Sequence, residues 1–150
     1  MSDIKLKNLS VSIIGKTNTG KSTLLNQIIG HKISIVTPKV QTTRCSIMGV
    51  TTIKNCQLIL FDTPGIFTAN NPLERAMIKC AWSSLNNADI VALLIDNTKI
   101  IDETLKKIIE QLVSLKIKFI TVLNKIDQKS KFSEENLIFC QNLKLRYSII

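Results

Sequence analysis

Nine consecutive residues, Gly15, Lys16, Thr17, Asn18, Thr19, Gly20, Lys21, Ser22 and Thr23, combine two glycines, two lysines and a run of hydroxyls. Both glycines, Lys21 and Ser22 fall at the spacing of a phosphate-binding loop. Gly15 and Gly20 permit backbone angles closed to residues with a Cβ, so successive N–H groups can turn inward as an anion nest. A helix starting here would point its positive end at the same anion. Lys21 then supplies charge to β- and γ-phosphates, and the Ser22 hydroxyl supplies a ligand to magnesium. That is the chemistry of a nucleoside triphosphate tail. A chance match in a loop of small residues is the competing explanation. It fails on context, because the apolar run Val11–Gly15 precedes the loop and Leu24–Ile29 follows it.

A second segment, Asn124, Lys125, Ile126 and Asp127, selects the base. A carboxylate at Asp127 can accept from both the ring N1–H and the exocyclic amine of guanine, and adenine offers no matching donor pair. Lys125 would lay its aliphatic stem over the base, and Asn124 would tie the segment back to the phosphate loop. A third segment, Asp62, Thr63, Pro64 and Gly65, falls at the end of a β-like run. Asp62 there would hold magnesium through a water, and the Gly65 N–H would meet the γ-phosphate. A simple Pro-Gly turn is the plainer explanation of this segment taken alone. A fourth segment, Gln41 to Arg44, offers a threonine that completes the magnesium shell while the γ-phosphate is present; Thr43 is preferred to Thr42. The metal set is thus Ser22, Thr43 and Asp62, and the groups acting on the γ-phosphate are Lys21, Thr43 and Gly65.

The elements that must position these residues follow from periodicity. A buried strand is predicted over 11–15, then a helix over 22–30 closed by Gly30 at its C-terminal cap. Residues 31–44 read as a loop, and 45–62 as two strands of a hairpin joined near Lys54-Asn55. Helices are predicted over 73–85, 102–115 with Asp102 near its N-cap, and 133–143. Buried strands are predicted over 89–96 and 118–124, and Tyr147 to Ile150 reads as a strand that has only begun. Strands alternating with helices give an α/β fold of the P-loop NTPase kind, a three-layer α/β/α sandwich around a mostly parallel sheet with one antiparallel strand. Neither repeat nor linker is visible, so residues 1–150 form one domain.

Composition narrows the class without naming the chemistry. The chain has 150 residues, 45% hydrophobic and 21% charged, which suits a single core. Four cysteines (Cys45, Cys56, Cys80, Cys140) lack a C-x-x-C pair and His31 is the only histidine, so a zinc cluster is not expected and the thiols read as reduced. Between Met1 and Phe61 eight basic residues face one acid, Asp3, within a net charge of +9. Such a surface favours polyanions, nucleic acid first. Richness in Lys, Ile and Asn also follows from AT-rich coding, so charge alone does not decide. No apolar run is long enough to span a membrane, and Asp3 and Lys5 interrupt any signal peptide, which predicts a cytosolic protein.

Taken together, "GKTNTGKSTLLN", "QTTR", "DTPGI", "NKID" and "ERAMIKCAWSSLNNADIVALLID" resemble the translation-factor class of P-loop GTPases, and within it the bacterial Era-type family. The resemblance covers nearly the whole chain. Read from residues alone, Met77 and Trp82 in the last stretch are a helix's packing face. The resemblance implies binding of GTP and GDP with Mg2+, hydrolysis of GTP as a switch, and a role in small ribosomal subunit maturation on the 30S particle, gripping ribosomal RNA through a C-terminal KH domain. It also implies a monomer in the cytoplasm with peripheral association at the inner membrane. By the same resemblance Asn18 coordinates potassium that supplements charge stabilisation. Ile66 stands where other GTPases carry a catalytic glutamine, so no side chain is assigned to orient the attacking water. Members of that family are longer, and the chain reads as a GTPase domain lacking the KH domain and the last strand and helix, with weakened guanine affinity. The alternative function is a non-catalytic guanine-nucleotide-binding remnant without RNA binding. A P-loop ATPase or kinase is a more distant reading, opposed by Asp127.

Overall fold

A computed structural model of the chain describes residues 7–30, 46–63, 72–85, 88–128, 130–142 and 147–149. Its elements are β1 (Lys7–Gly15), α1 (Lys21–Gly30), β2 (Ser46–Ile53), β3 (Cys56–Asp62), α2 (Pro72–Leu85), β4 (Ile90–Asp96), α3 (Glu103–Ser114), β5 (Phe119–Asn124), α4 (Ser133–Asn142) and β6 (Tyr147–Ile149). The strands form one sheet in the order β2-β3-β1-β4-β5-β6. Among the described residues only β2 runs antiparallel to its neighbour; β1 is parallel to β3 and β4, and β5 to β4 and β6. This is the three-layer, mostly parallel sandwich that the alternating pattern predicts.

The central strands are apolar on both faces because helices cover both. Ile14, Val91, Leu93, Ile95 and Leu123 pack with Leu105, Ile108, Ile109 and Leu112 of α3, Leu85 of α2 and Cys140 of α4. On the other face Ile13, Leu60, Ala92, Leu94 and Val122 pack against Leu25 and Ile29 of α1. Within β1 the alternation is therefore hidden: Ile13 and Ile14 are neighbours in sequence that serve different helices. Ser12, on the same strand, is fully buried and its hydroxyl has no hydrogen-bond partner.

One boundary departs clearly from the periodicity. β1 begins four residues earlier than the apolar run, at Lys7, because its first residues are exposed or half-buried yet pair with β3 from Lys7↔Cys56 onward. Backbone pairing, invisible to hydropathy, extends it. Gly30 is the last residue of α1 itself. The helix thus ends at the glycine that the sequence marks as its close. The predicted 31–44 loop lies outside the described residues. Elsewhere the reading meets the structure closely. The hairpin turns at Lys54, whose φ of 54° is left-handed. Asp102 caps α3, its carboxylate accepting from the Leu105 N–H at 3.0 Å. Trp82 packs against the α3-side core, and β6 pairs with β5 through Tyr147, Ser148 and Ile149. Cys56 and Cys140 are free thiols.

Candidate nucleotide-binding site

Parallel strands put their C-terminal ends on one edge of the sheet, the edge where open α/β sheets bind ligands. Gly15 ends β1, Asp62 ends β3 opposite Ile13, Asp96 ends β4 and Asn124 ends β5 opposite Asp96. Three of the four sequence segments thus reach the same edge by backbone alone.

Gly15 and Gly20 are glycines for reasons of space. A Cβ on Gly15 would lie 2.5 Å from the Leu94 carbonyl oxygen, so the loop could not leave β1 alongside β4. A Cβ on Gly20 would lie 2.5 Å from Asn124 Nδ2, and Gly20 has a φ of 94°. Between them Asn18 is also left-handed, with φ 63°. The Lys21 ammonium folds back on the loop, donating to the carbonyls of Gly15 at 3.1 Å and Lys16 at 2.6 Å. The Thr19 hydroxyl donates to the Lys16 carbonyl at 3.0 Å. α1 starts directly, with the Leu24 N–H bonded to the Gly20 carbonyl at 2.9 Å. The helix N-terminus therefore lies at the loop, as an anion site needs.

The base-selecting segment is bolted to this loop. Asn124 Nδ2 donates to the Thr19 carbonyl at 2.8 Å, and Lys125 Nζ donates to the Asn18 carbonyl at 2.9 Å. Lys125 itself is left-handed, φ 67°. Ile126 and Asp127 are exposed beyond it. Two adjoining clefts result. One, of about 590 Å³, is lined by Leu24, Gln27, Asn124 and Asp127; the other, of about 390 Å³, by Asn18, Lys21 and Ser22. Gly20, Thr23 and Lys125 line both. The Asp127 carboxylate lines one cleft, and Lys21 with the N-terminus of α1 lines the other.

Some predicted residues do other work. Thr63 is buried and donates its hydroxyl to the Ile13 carbonyl at 2.7 Å, tying the end of β3 to β1. The side chain of Lys16 turns across the loop to pair with Asp102 at the start of α3, where both line a separate hollow with Thr17 and Thr19. In Asp102 burial raises the pKa most, but the bonds from Lys16 and from the Leu105 N–H outweigh it and hold the carboxyl below its ordinary value. The side chain of Asp62, and Thr43, Pro64, Gly65 and Ile66 altogether, lie outside the described residues. Among the described residues no cluster of His, Cys, Asp and Glu could hold a metal by itself, and no helix is long and apolar enough to cross a membrane.

One residue of the site went unread. Asp96 Oδ2 accepts from Lys125 Nζ at 2.8 Å, and Asp96 Oδ1 accepts from the Thr98 N–H at 3.0 Å and hydroxyl at 2.6 Å. Its side chain is 6% exposed and that of Lys125 28%. A lone Asp ending an apolar run carries no motif; its one sequence signal is a charge at a strand end destined for the ligand edge.

Comparison with known proteins agrees with this geometry. The family described as "50S ribosome-binding GTPase" matches residues 10–125. The GTPase Era of Rickettsia akari is 56% identical over 129 residues, 86% of this chain and 44% of that protein. The GTPase Era of Agrobacterium fabrum is 42% identical over 137 residues, 91% of this chain and 43% of that protein. A crystal structure of Era in complex with MgGDPNP and nucleotides 1506–1542 of 16S ribosomal RNA superposes with a TM-score of 0.76 at 35% identity, covering 97% of this chain and 51% of that one. The chain therefore spans about half or less of the length of these relatives.

Proposed function

The chain belongs to the 50S ribosome-binding GTPase family, and from that premise we propose that it binds GTP and hydrolyses it to GDP and phosphate as an Era-like switch. The observation that carries the reading is the pair of bonds from Asn124 and Lys125 to the Thr19 and Asn18 carbonyls. Through them the segment that discriminates guanine and the loop that cradles phosphate make one continuous site.

Within it Lys21 neutralises charge on the β- and γ-phosphates while the loop amides and the α1 N-terminus hold them in place. Ser22 lines the phosphate cleft beside Lys21; with Asp62 and Thr43 it would supply the hard oxygens that suit Mg2+. Bound there, the ion neutralises phosphate charge. The Gly65 N–H would complete the γ-phosphate contacts. Asn18, on the rim of the same cleft, is assigned to potassium; equal single-turnover rates in sodium and potassium buffers would remove that assignment. The net charge of +9 suits polyanionic partners in general; small-subunit ribosomal RNA as a partner is supported by the Era complex with 16S ribosomal RNA, and association with the inner-membrane surface rests on the family resemblance alone.

The test is hydrolysis by this chain. GTP should be turned over with magnesium, ATP should not, and Lys21→Ala should abolish turnover. Binding of GDP without any turnover would reduce the protein to a nucleotide-binding module. Equal binding of guanine and adenine nucleotides would refute the role given to Asp127.

A further inference from the structure

We infer that Asp96, at the end of β4, is a positioning residue of the nucleotide site, one that acts through Lys125 to set how long a guanine nucleotide is retained. The inference rests on the nucleotide reading above and adds a residue to it.

Lys125 is the wall common to the base and phosphate clefts. At its near end the backbone is held left-handed, φ 67°. At its far end the ammonium has two acceptors, the neutral Asn18 carbonyl at 2.9 Å and the Asp96 carboxylate at 2.8 Å. A four-carbon stem fixed at both ends is a preorganised surface for a base to lie on, with little rotamer freedom left to lose on binding. The charged acceptor is the stronger of the two.

Asp96 is itself aimed by Thr98, whose N–H and hydroxyl both donate to Oδ1, leaving Oδ2 for the lysine. Burial pulls its carboxyl pKa upward as the largest single influence, yet the bonds from Lys125 and Thr98 together hold it below the ordinary value. A nearly buried carboxylate that stays charged against its own desolvation requires its cation. A purely structural role, as a cap for the turn after β4, is the competing explanation. It accounts for Oδ1 and leaves Oδ2 without purpose.

The experiment measures release of fluorescent GDP and of fluorescent inosine diphosphate from the wild type, Asp96→Asn, Lys125→Met, the double variant and Thr98→Val. Stacking on the stem does not involve the 2-amino group that inosine lacks, whereas Asp127 does read it. Asp96→Asn should therefore speed release of both nucleotides about tenfold, leaving their ratio unchanged, and the double variant should release no faster than Lys125→Met alone. Thr98→Val, which keeps the charge and loosens its aim, should give a smaller acceleration of the same kind; it decides the matter if Asp96→Asn does not fold. Unchanged release, an altered GDP-to-inosine ratio, or accelerations that multiply in the double variant would each overturn the inference. Failure of the wild type to bind GDP would overturn the nucleotide reading instead.

Discussion

In the proposed site Asp127 and Gly20 represent two kinds of residue, one that would act by what it bonds and one that acts by what it leaves empty. Replacing Asp127 by Asn turns an acceptor pair into a donor and acceptor, which mismatches guanine and matches xanthine, whose C2 bears a carbonyl. GDP affinity should fall about a hundredfold, in line with 2–3 kcal/mol for a lost charged hydrogen-bond pair. Competition between GDP and xanthosine diphosphate measures it, with preference for the latter as the expected outcome. Gly20→Ala meets Asn124 Nδ2 at 2.5 Å and strains a φ of 94°. We expect a loss of about 1–3 kcal/mol together with loss of GDP binding, read by thermal denaturation with and without nucleotide. Spacing alone exposed both residues, because each belongs to a motif whose parts are adjacent in sequence. Asp96 was hidden by the opposite circumstance: Thr98 beside it reads as an ordinary turn, and its partner Lys125, 29 residues on, acquires meaning only once β4 and β5 lie side by side.

Among the elements, α3 was the most legible. Its apolar residues Leu105, Ile108, Ile109 and Leu112 recur at helical spacing and all are buried. Leu112→Ala should cost about 2–5 kcal/mol. Its neighbour Val113 is 58% exposed, and Val113→Ala should shift the urea midpoint little. Asp102 does two jobs at the start of this helix. Asp102→Ala loses the cap, about 1 kcal/mol, whereas Asp102→Asn keeps a capping oxygen and loses only the Lys16 pair. Those two side chains are 37% and 41% exposed, so solvent screening leaves that pair worth a few tenths of a kcal/mol. Chemical denaturation of the two variants should therefore separate cap from charge. In β1, Ser12→Ala removes a buried hydroxyl that bonds nothing and should stabilise the sheet by up to about 1 kcal/mol. The start of β1 was less legible than its core, for a physical reason: the strand is extended by backbone pairing to β3, which leaves no hydropathic trace.

For the whole molecule, acid is the informative perturbant. Asp89, Asp96 and Asp102 all have carboxyls held below their ordinary 3.8. For Asp89 the hydroxyl and N–H of Ser10 are the chief cause. A depressed folded pKa means the unfolded chain binds protons first, so these contributions are whole above pH 3.8 and drain away as pH falls through the folded values. Melting temperature should be nearly level from neutrality to about pH 4 and then drop, more gently in Asp96→Asn, as calorimetry against pH would record. The sheet order itself was only partly legible: the shared ligand edge puts β3 beside β1, as found, but alternation alone does not say that β4 flanks β1 on its other side.

The bonds that complete the site join positions far apart along the polymer: Asn124 to Thr19 spans 105 residues and Lys125 to Asn18 spans 107. The loop near the start of the chain cannot reach its working shape until a strand synthesised a hundred residues later has docked. Ligand capture is therefore a late milestone of maturation, and a nascent chain would remain unable to grip nucleotide until β5 has emerged and joined the sheet. Guanine nucleotide added during refolding should then leave the early collapse rate unaltered and slow only unfolding.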